Sequence, residues 1–105
     1  MTSPEEITGV VLLGPDDNVV VTREDTIAGG LVEIDGKTWP SEGIIPLGHK
    51  LARRDIKAGD KILKYGAPIG SATRDIAAGS HVHVHNVKSD YLHSHTTRPD
   101  EEVGA

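Results

Sequence analysis

The sequence predicts a small all-β domain, on three observations. Twelve glycines and six prolines break its 105 residues into short pieces, and turns this frequent favour short strands over long helices. The core it can build is aliphatic, of Val, Ile and Leu, with no Phe, one Trp and two Tyr. No window of a dozen residues sustains a 3.6-residue apolar period with caps at both ends.

The elements follow in order. Val10–Leu13 is an apolar run closed by Gly14-Pro15-Asp16-Asp17-Asn18, a dense turn signal. Val19–Thr22 resumes as a strand. Leu31–Ile34 alternates, meets Asp35-Gly36 and continues as Lys37-Thr38-Trp39. Asp-Gly between two such runs predicts a two-residue hairpin, because both positions tolerate positive φ. A loop rich in Pro and Gly spans Pro40 to Gly48.

The second half contains a repeat. Arg54-Asp55-Ile56-Lys57-Ala58-Gly59-Asp60 returns as Arg74-Asp75-Ile76-Ala77-Ala78-Gly79-Ser80, and Asp25-Thr26-Ile27-Ala28-Gly29 is a fainter copy. Each reads as a corner: Asp bonds nearby N–H groups, Ile or its neighbour plugs the core, and Gly takes a positive-φ exit. Three corners are too few, and too closely spaced, for a solenoid. Outward solvation suits Arg54 and Arg74 better than pairing with Asp55 or Asp75. Tyr65 is expected to pack, with its hydroxyl at the surface.

Residues 81–86 read His-Val-His-Val-His-Asn. Strict alternation is a strand pattern, so His81, His83 and His85 are expected on one face of a strand covering 81–85, with Val82 and Val84 filling a core on the other. Neighbouring imidazoles on a straight strand lie about 6.6 Å apart and the outer two about 13 Å apart. Two can therefore converge on one ion through bonds of about 2.0–2.1 Å, and three cannot without strain.

Length makes this one domain, and a chain of this size buries roughly two thirds of its unfolded surface. Without cysteine there are no disulfides or thiolate metal sites. A net charge of −5 with no basic block argues against nucleic acid. The absence of a signal-like start or a membrane-length apolar run makes a cytoplasmic location the expectation and a membrane role unexpected. From Lys88 onward the chain turns polar, so residues 1–88 are read as the domain and 89–105 as a tail or linker, with His93 and His95 in it.

Gly48-His49-Lys50, Arg54-Asp55-Ile56-x-Ala58-Gly59-Asp60, Lys64-Tyr65-Gly66-x-Pro68-Ile69-Gly70, Ala72-Thr73-x-Asp75-Ile76-x-Ala78-Gly79 and His81–Asn86 form an ordered series. Together they resemble the SAF-type N-terminal domain of the altronate and galactarate dehydratase family. The small subunit of (2R)-sulfolactate sulfo-lyase carries the same series. The resemblance runs from about residue 44 to 88; residues 1–43 agree in strand-and-turn character alone. The His-x-His-Asn ending is closer to the altronate and sulfolactate branches than to the galactarate branch.

What the resemblance implies is a β-clip, a small bent β structure, serving as the small subunit of a sugar-acid hydro-lyase with a separate large catalytic subunit. The substrate would be a small anionic hydroxy acid, the leaving group water or sulfite, and the cofactor a divalent metal, iron(II) foremost, shared with the large subunit. His83 and His85 are the expected metal ligands. His49 and Lys50 are the expected catalytic pair, holding a carboxylate and moving a proton. Asn86 is expected either to bond a substrate hydroxyl or to cap a strand end. An isolated chain should be inactive, and could form a homo-oligomer. The alternatives are a sulfo-lyase small subunit and a non-catalytic module that binds sugar acids or assembles other machinery.

Overall fold

Val19-Val20-Val21 is buried along nearly its whole length, and that run explains the architecture. A strand apolar on both faces must be covered on both faces. The computed structural model describes residues 7–90, which contain ten short strands and no helix. Strands β2 (Val10–Val11), β3 (Val19–Thr22), β6 (Lys50–Ala52) and β9 (His81–Val82) form a central antiparallel sheet in that order.

Register then sorts the side chains. Val19 lies opposite Ala52, and Lys50 opposite Val82. The apolar members of that face join Ile56, Ile62, Ala72 and Ile76 in one core, with Ile69 and Val87 packed against it. This core sits under the sheet of β7 (Lys61–Lys64), β8 (Ala67–Ala72) and β10 (Val87–Lys88). On the other face Val20 and Leu51 meet Val32, Ile34, Ile45 and Trp39, under the sheet of β1 (Ile7–Thr8), β4 (Leu31–Ile34) and β5 (Lys37–Pro40). The all-β expectation holds, and Asp35-Gly36 turns the β4–β5 hairpin with φ of 52° and 81°.

The repeated segments are corners of one design. Lys57 to Asp60 and Ala77 to Ser80 each close with a backbone bond from the fourth residue's N–H to the first residue's carbonyl, and each feeds a strand. Ile56 and Ile76 exchange both backbone hydrogen bonds and are buried. The aspartates act across the pair rather than locally, which corrects the expectation. Asp55 accepts from Ala78 N–H, and Asp75 from Ala58 N–H, both at 2.9 Å.

The faint copy has a partner that the sequence reading missed. Pro46 to His49 closes the same kind of turn, Thr26 N–H bonds the Ile45 carbonyl, and Asp25 accepts from Leu47 N–H. Thr26, buried in place of an isoleucine, supplies its hydroxyl to Ile45 N–H and Gly43 carbonyl. The arginines Arg54 and Arg74 bond carbonyls of Asp17 and His85, and pair with neither repeat aspartate.

One corner is tighter than its twin. A Cβ at Gly59 (φ 90°) would meet nothing within 4 Å, whereas at Gly79 (φ 85°) it would lie 2.9 Å from Trp39 Cβ and Cγ. Gly59→Ala should cost about 1–2 kcal/mol for the left-handed backbone alone. Gly79→Ala should cost roughly 1–3 kcal/mol more, because the Trp39 side chain must also move. Urea unfolding of the two variants checks this; equal losses would mean that Trp39 yields freely.

The second hairpin turns on Tyr65 and Gly66, with φ of 57° and 75°. Asp17, fully buried, accepts from both of their N–H groups at 2.8 and 2.7 Å, and from Gly14 N–H at 2.9 Å. Asn18 beside it bonds Lys61 carbonyl and Leu63 N–H. The segment read only as a turn signal is thus the clasp between β3 and the β7–β8 hairpin. Tyr65 itself is 70% exposed, against the expectation that it packs.

Candidate functional site

The turn Pro46-Leu47-Gly48-His49 delivers His49 to the start of β6. Gly48, at φ 86°, takes the left-handed position that a side chain would strain. Buried Thr22 fixes the turn, its hydroxyl donating to Pro46 carbonyl at 3.0 Å and its N–H to His49 carbonyl at 2.9 Å. Strand β9 runs alongside, with His81 opposite Leu51.

The histidine strand is shorter than its alternation predicts. Pairing stops at Val82, because the chain must leave the central sheet and cross to β8, where β10 pairs. Residues 83–86 make that crossing as a turn. Val82 is buried as expected, but Val84 sits on the turn and is 80% exposed, so it fills no core. Asn86 braces the bend: its Oδ1 accepts from His83 N–H and its Nδ2 donates to His81 carbonyl, both at 2.9 Å. Its amide is engaged at both ends and the residue is buried, the arrangement of a cap.

Bending brings the imidazoles closer than a strand could. His81 and His83 stack with centroids 5.3 Å apart and planes 8° from parallel. His49 stacks on both, at 5.1 and 4.7 Å. The outer pair, His81 and His85, is 5.6 Å apart between ring centroids, far less than a straight strand allows. His49 Nδ1 and His81 Nε2 share a hydrogen bond of 2.9 Å, so one of the two carries the proton.

One nitrogen from each of His49, His81 and His83 lies within 4.8 Å of the others. Of the expected ligand pair, this convergent set contains His83, with His49 and His81 beside it, and not His85. His49, expected as a catalytic partner of Lys50, belongs to the imidazole cluster. Two cis ligands at about 2.0–2.1 Å from one metal stand roughly 3.0–3.4 Å apart. His49 and His81 are already near that spacing, and the third donor is close by, so the residues fit a divalent ion.

Lys50 follows His49 and turns to the other face. It lines a recess of about 230 Å³ with Ile69, His83, Val84, Val87 and Ser89. His83 therefore borders both the imidazole cluster and the recess. Partial burial, helped by the like charge of Lys64, holds the Lys50 ammonium below the ordinary lysine range. Partial burial likewise lowers His81, joined by the imidazoles of His49, His83 and His85 and opposed by Glu42, whose carboxylate accepts from His81 N–H. His83 is lowered by desolvation and then by His49, Lys50 and His85. Both shifts favour the unprotonated ring, the form that binds a metal or accepts a proton. His93 and His95 lie outside the described residues.

Residues 8–90 match the family described as the altronate/galactarate dehydratase SAF domain, so the likeness reaches well before residue 44. Altronate dehydratase of Bacillus subtilis (strain 168) is 42% identical over 89 residues, covering 81% of this chain and 18% of that protein. Altronate dehydratase of Escherichia coli (strain K12) is 42% identical over 86 residues, covering 80% and 17%. The (2R)-sulfolactate sulfo-lyase subunit alpha of Chromohalobacter salexigens is 51% identical over 45 residues, covering 43% of this chain and 48% of that one. The matched domain is thus under one fifth of the altronate dehydratases it resembles.

Proposed function

The chain belongs to the altronate/galactarate dehydratase SAF-domain family, and from that premise we propose that it is the small subunit of a sugar-acid hydro-lyase of the altronate type. A separate large chain would supply the rest of the active site. The observation that carries this reading is the convergence of His49, His81 and His83 within 4.8 Å, beside a recess floored by Lys50.

Elimination next to a carboxylate needs an anchor for the acid, a group that moves the proton, and positive charge facing the developing enediolate. Lys50 suits the first need, because its ammonium is partly withdrawn from water and no carboxylate among the described residues pairs with it. His83, on the recess wall, suits the second: its lowered pKa favours the unprotonated ring, which can take a proton on a nitrogen. His49, His81 and His83 would hold a divalent ion, iron(II) foremost, and such an ion when bound supplies a positive centre for an oxyanion. If His83 ligates, its proton role passes to a residue of the large chain.

The test is to purify the complex of this chain with its large partner and assay altronate-type sugar acids against sulfolactate. Dehydration by the complex, and by neither chain alone, supports the proposal. A sulfo-lyase role has its own support in the 51% identity over 45 residues to a (2R)-sulfolactate sulfo-lyase subunit alpha; sulfite release from sulfolactate without sugar-acid dehydration would favour it.

Metal retention gives a second readout on this chain alone. Lowered His81 and His83 titrate below the ordinary imidazole value of 6.5. They therefore stay unprotonated, and able to ligate, further into acid than a free imidazole. Cobalt(II) bound to the small chain, followed by its visible absorption, should be released as the rings protonate in acid, and His81→Ala or His83→Ala should weaken its binding at neutral pH. Binding unaltered by both substitutions would show that these rings are not the ligands.

A further inference from the structure

The β7–β8 turn carries an unexplained choice of residue. Both central positions of such a turn have positive φ, where Asn, Asp and Gly are at ease and a bulky side chain is an outlier. Tyr65 occupies the first of them at φ 57°. The buried Asp17 carboxylate accepts its N–H and that of Gly66, which holds the turn in this form. Among the described residues nothing offsets that strain through the aromatic ring, which is 70% exposed. Asn at this position would give the same turn with less strain, so the reason for the ring lies outside the domain.

The neighbourhood suggests what meets it. Lys64 precedes Tyr65 in the turn, and neither Lys64 nor Lys50 is ion-paired among the described residues. Lys50, on the recess, feels the like charge of Lys64. More than four fifths of each altronate dehydratase lies outside the matched domain. In such a protein the domain has a far larger body beside it. Exposed tyrosines beside a cation make strong anchors at protein interfaces, where the ring gives area at low entropic cost.

We propose that Tyr65 is a docking anchor for the large lyase chain, its ring entering an apolar pocket of that partner and Lys64 facing carboxylates around the pocket. This rests on the two-chain reading above.

The experiment compares the wild-type chain with Tyr65→Asn, Tyr65→Phe and Lys64→Glu, each titrated with the co-expressed large chain. Alone, Tyr65→Asn should melt higher by about 4–8 °C, as expected for relieving strain in a domain of this size. Its affinity for the large chain should nevertheless fall about thirtyfold or more. Tyr65→Phe should bind within a few-fold of wild type, and Lys64→Glu more weakly, with the deficit shrinking as salt rises. Nitration by tetranitromethane, read by peptide mass spectrometry, should modify Tyr65 in the free chain and spare it in the complex. Unchanged affinity of Tyr65→Asn overturns the anchor, whether or not KM rises; a rise in KM alone would place the ring against substrate instead. If the folded wild-type chain binds no large chain at all, the two-chain reading falls and the anchor with it. Normal wild-type binding with an unaffected Tyr65→Asn removes the anchor alone.

Discussion

Replacing His83 with alanine should lower turnover of the assembled lyase by about two to four orders of magnitude, the usual worth of a positioned proton-transfer or ligand side chain. His83 is singled out because it belongs to the convergent imidazoles and also lines the recess with Lys50. Its N–H bond to Asn86 is made by the backbone and survives the change, so the bend should hold and the melting temperature should move little. His85→Ala is the comparison. Its ring is tilted 47° against His81 and lies outside the convergent set, while the carbonyl that accepts from Arg74 is retained. A loss of less than tenfold is expected there. Steady-state kinetics on both complexes, with thermal melts as the folding control, check the ranking. A larger loss at His85 would put the chemistry on the other side of the cluster.

The largest expected loss of stability outside the apolar core belongs to Asp17→Ala. Three backbone N–H groups, from Gly14, Tyr65 and Gly66, would be left without their acceptor. At about 1–3 kcal/mol for each buried donor so stranded, and with water reaching some of them, the cost should be about 3–5 kcal/mol in urea unfolding. The pH dependence has a definite sign. Burial pushes the Asp17 carboxyl up, but the N–H bonds from Gly66, Tyr65 and Gly14 and the charge of Arg53 outweigh it, leaving it below its ordinary 3.8. The unfolded chain therefore takes up the proton first. The contribution of Asp17 is complete above that value and is lost as pH falls through and below it. Asp17→Asn should flatten the acid limb of the stability profile; an unaltered limb would mean that the carboxyl is not held down in the folded state.

Much of the fold could be read from the chain because its cues are local. Asp35-Gly36 specifies its hairpin by backbone preference, and the valine run of β3 announces a strand covered on both sides. The clasp at Asp17 was illegible for the opposite reason. Its partners lie about fifty residues away, and a polar cluster after Gly-Pro looks the same whether it ends a strand or seals a buried knot. The site was half legible. Alternation correctly gathered the histidines, but a period-2 pattern says nothing about where pairing stops, so Val84 was misplaced and the His81–His85 separation overestimated. The cue was Asn86, whose short amide is suited to bracing a turn. The place of His49 in the cluster depends on the β6–β9 pairing, a long-range contact that no local pattern encodes.

The central sheet has a consequence for how the molecule comes apart. Successive residues of β3 and β6 alternate between the two cores: Val19 and Ala52 serve one, Val20 and Leu51 the other. Loosening either core removes a wall of its neighbour, so the two halves share one cooperative unfolding unit despite their separate covering sheets. The imidazole cluster stands at the border of that unit: His81 lies in β9, while His49 and His83 sit on the turns that lead into β6 and out of β9. Thr22 and Asn86 tie those turns to the sheet, so the geometry of the cluster follows the stability of the sheet. A core substitution that leaves the bonds of those turns intact weakens the site only by raising the fraction of molecules that are wholly unfolded.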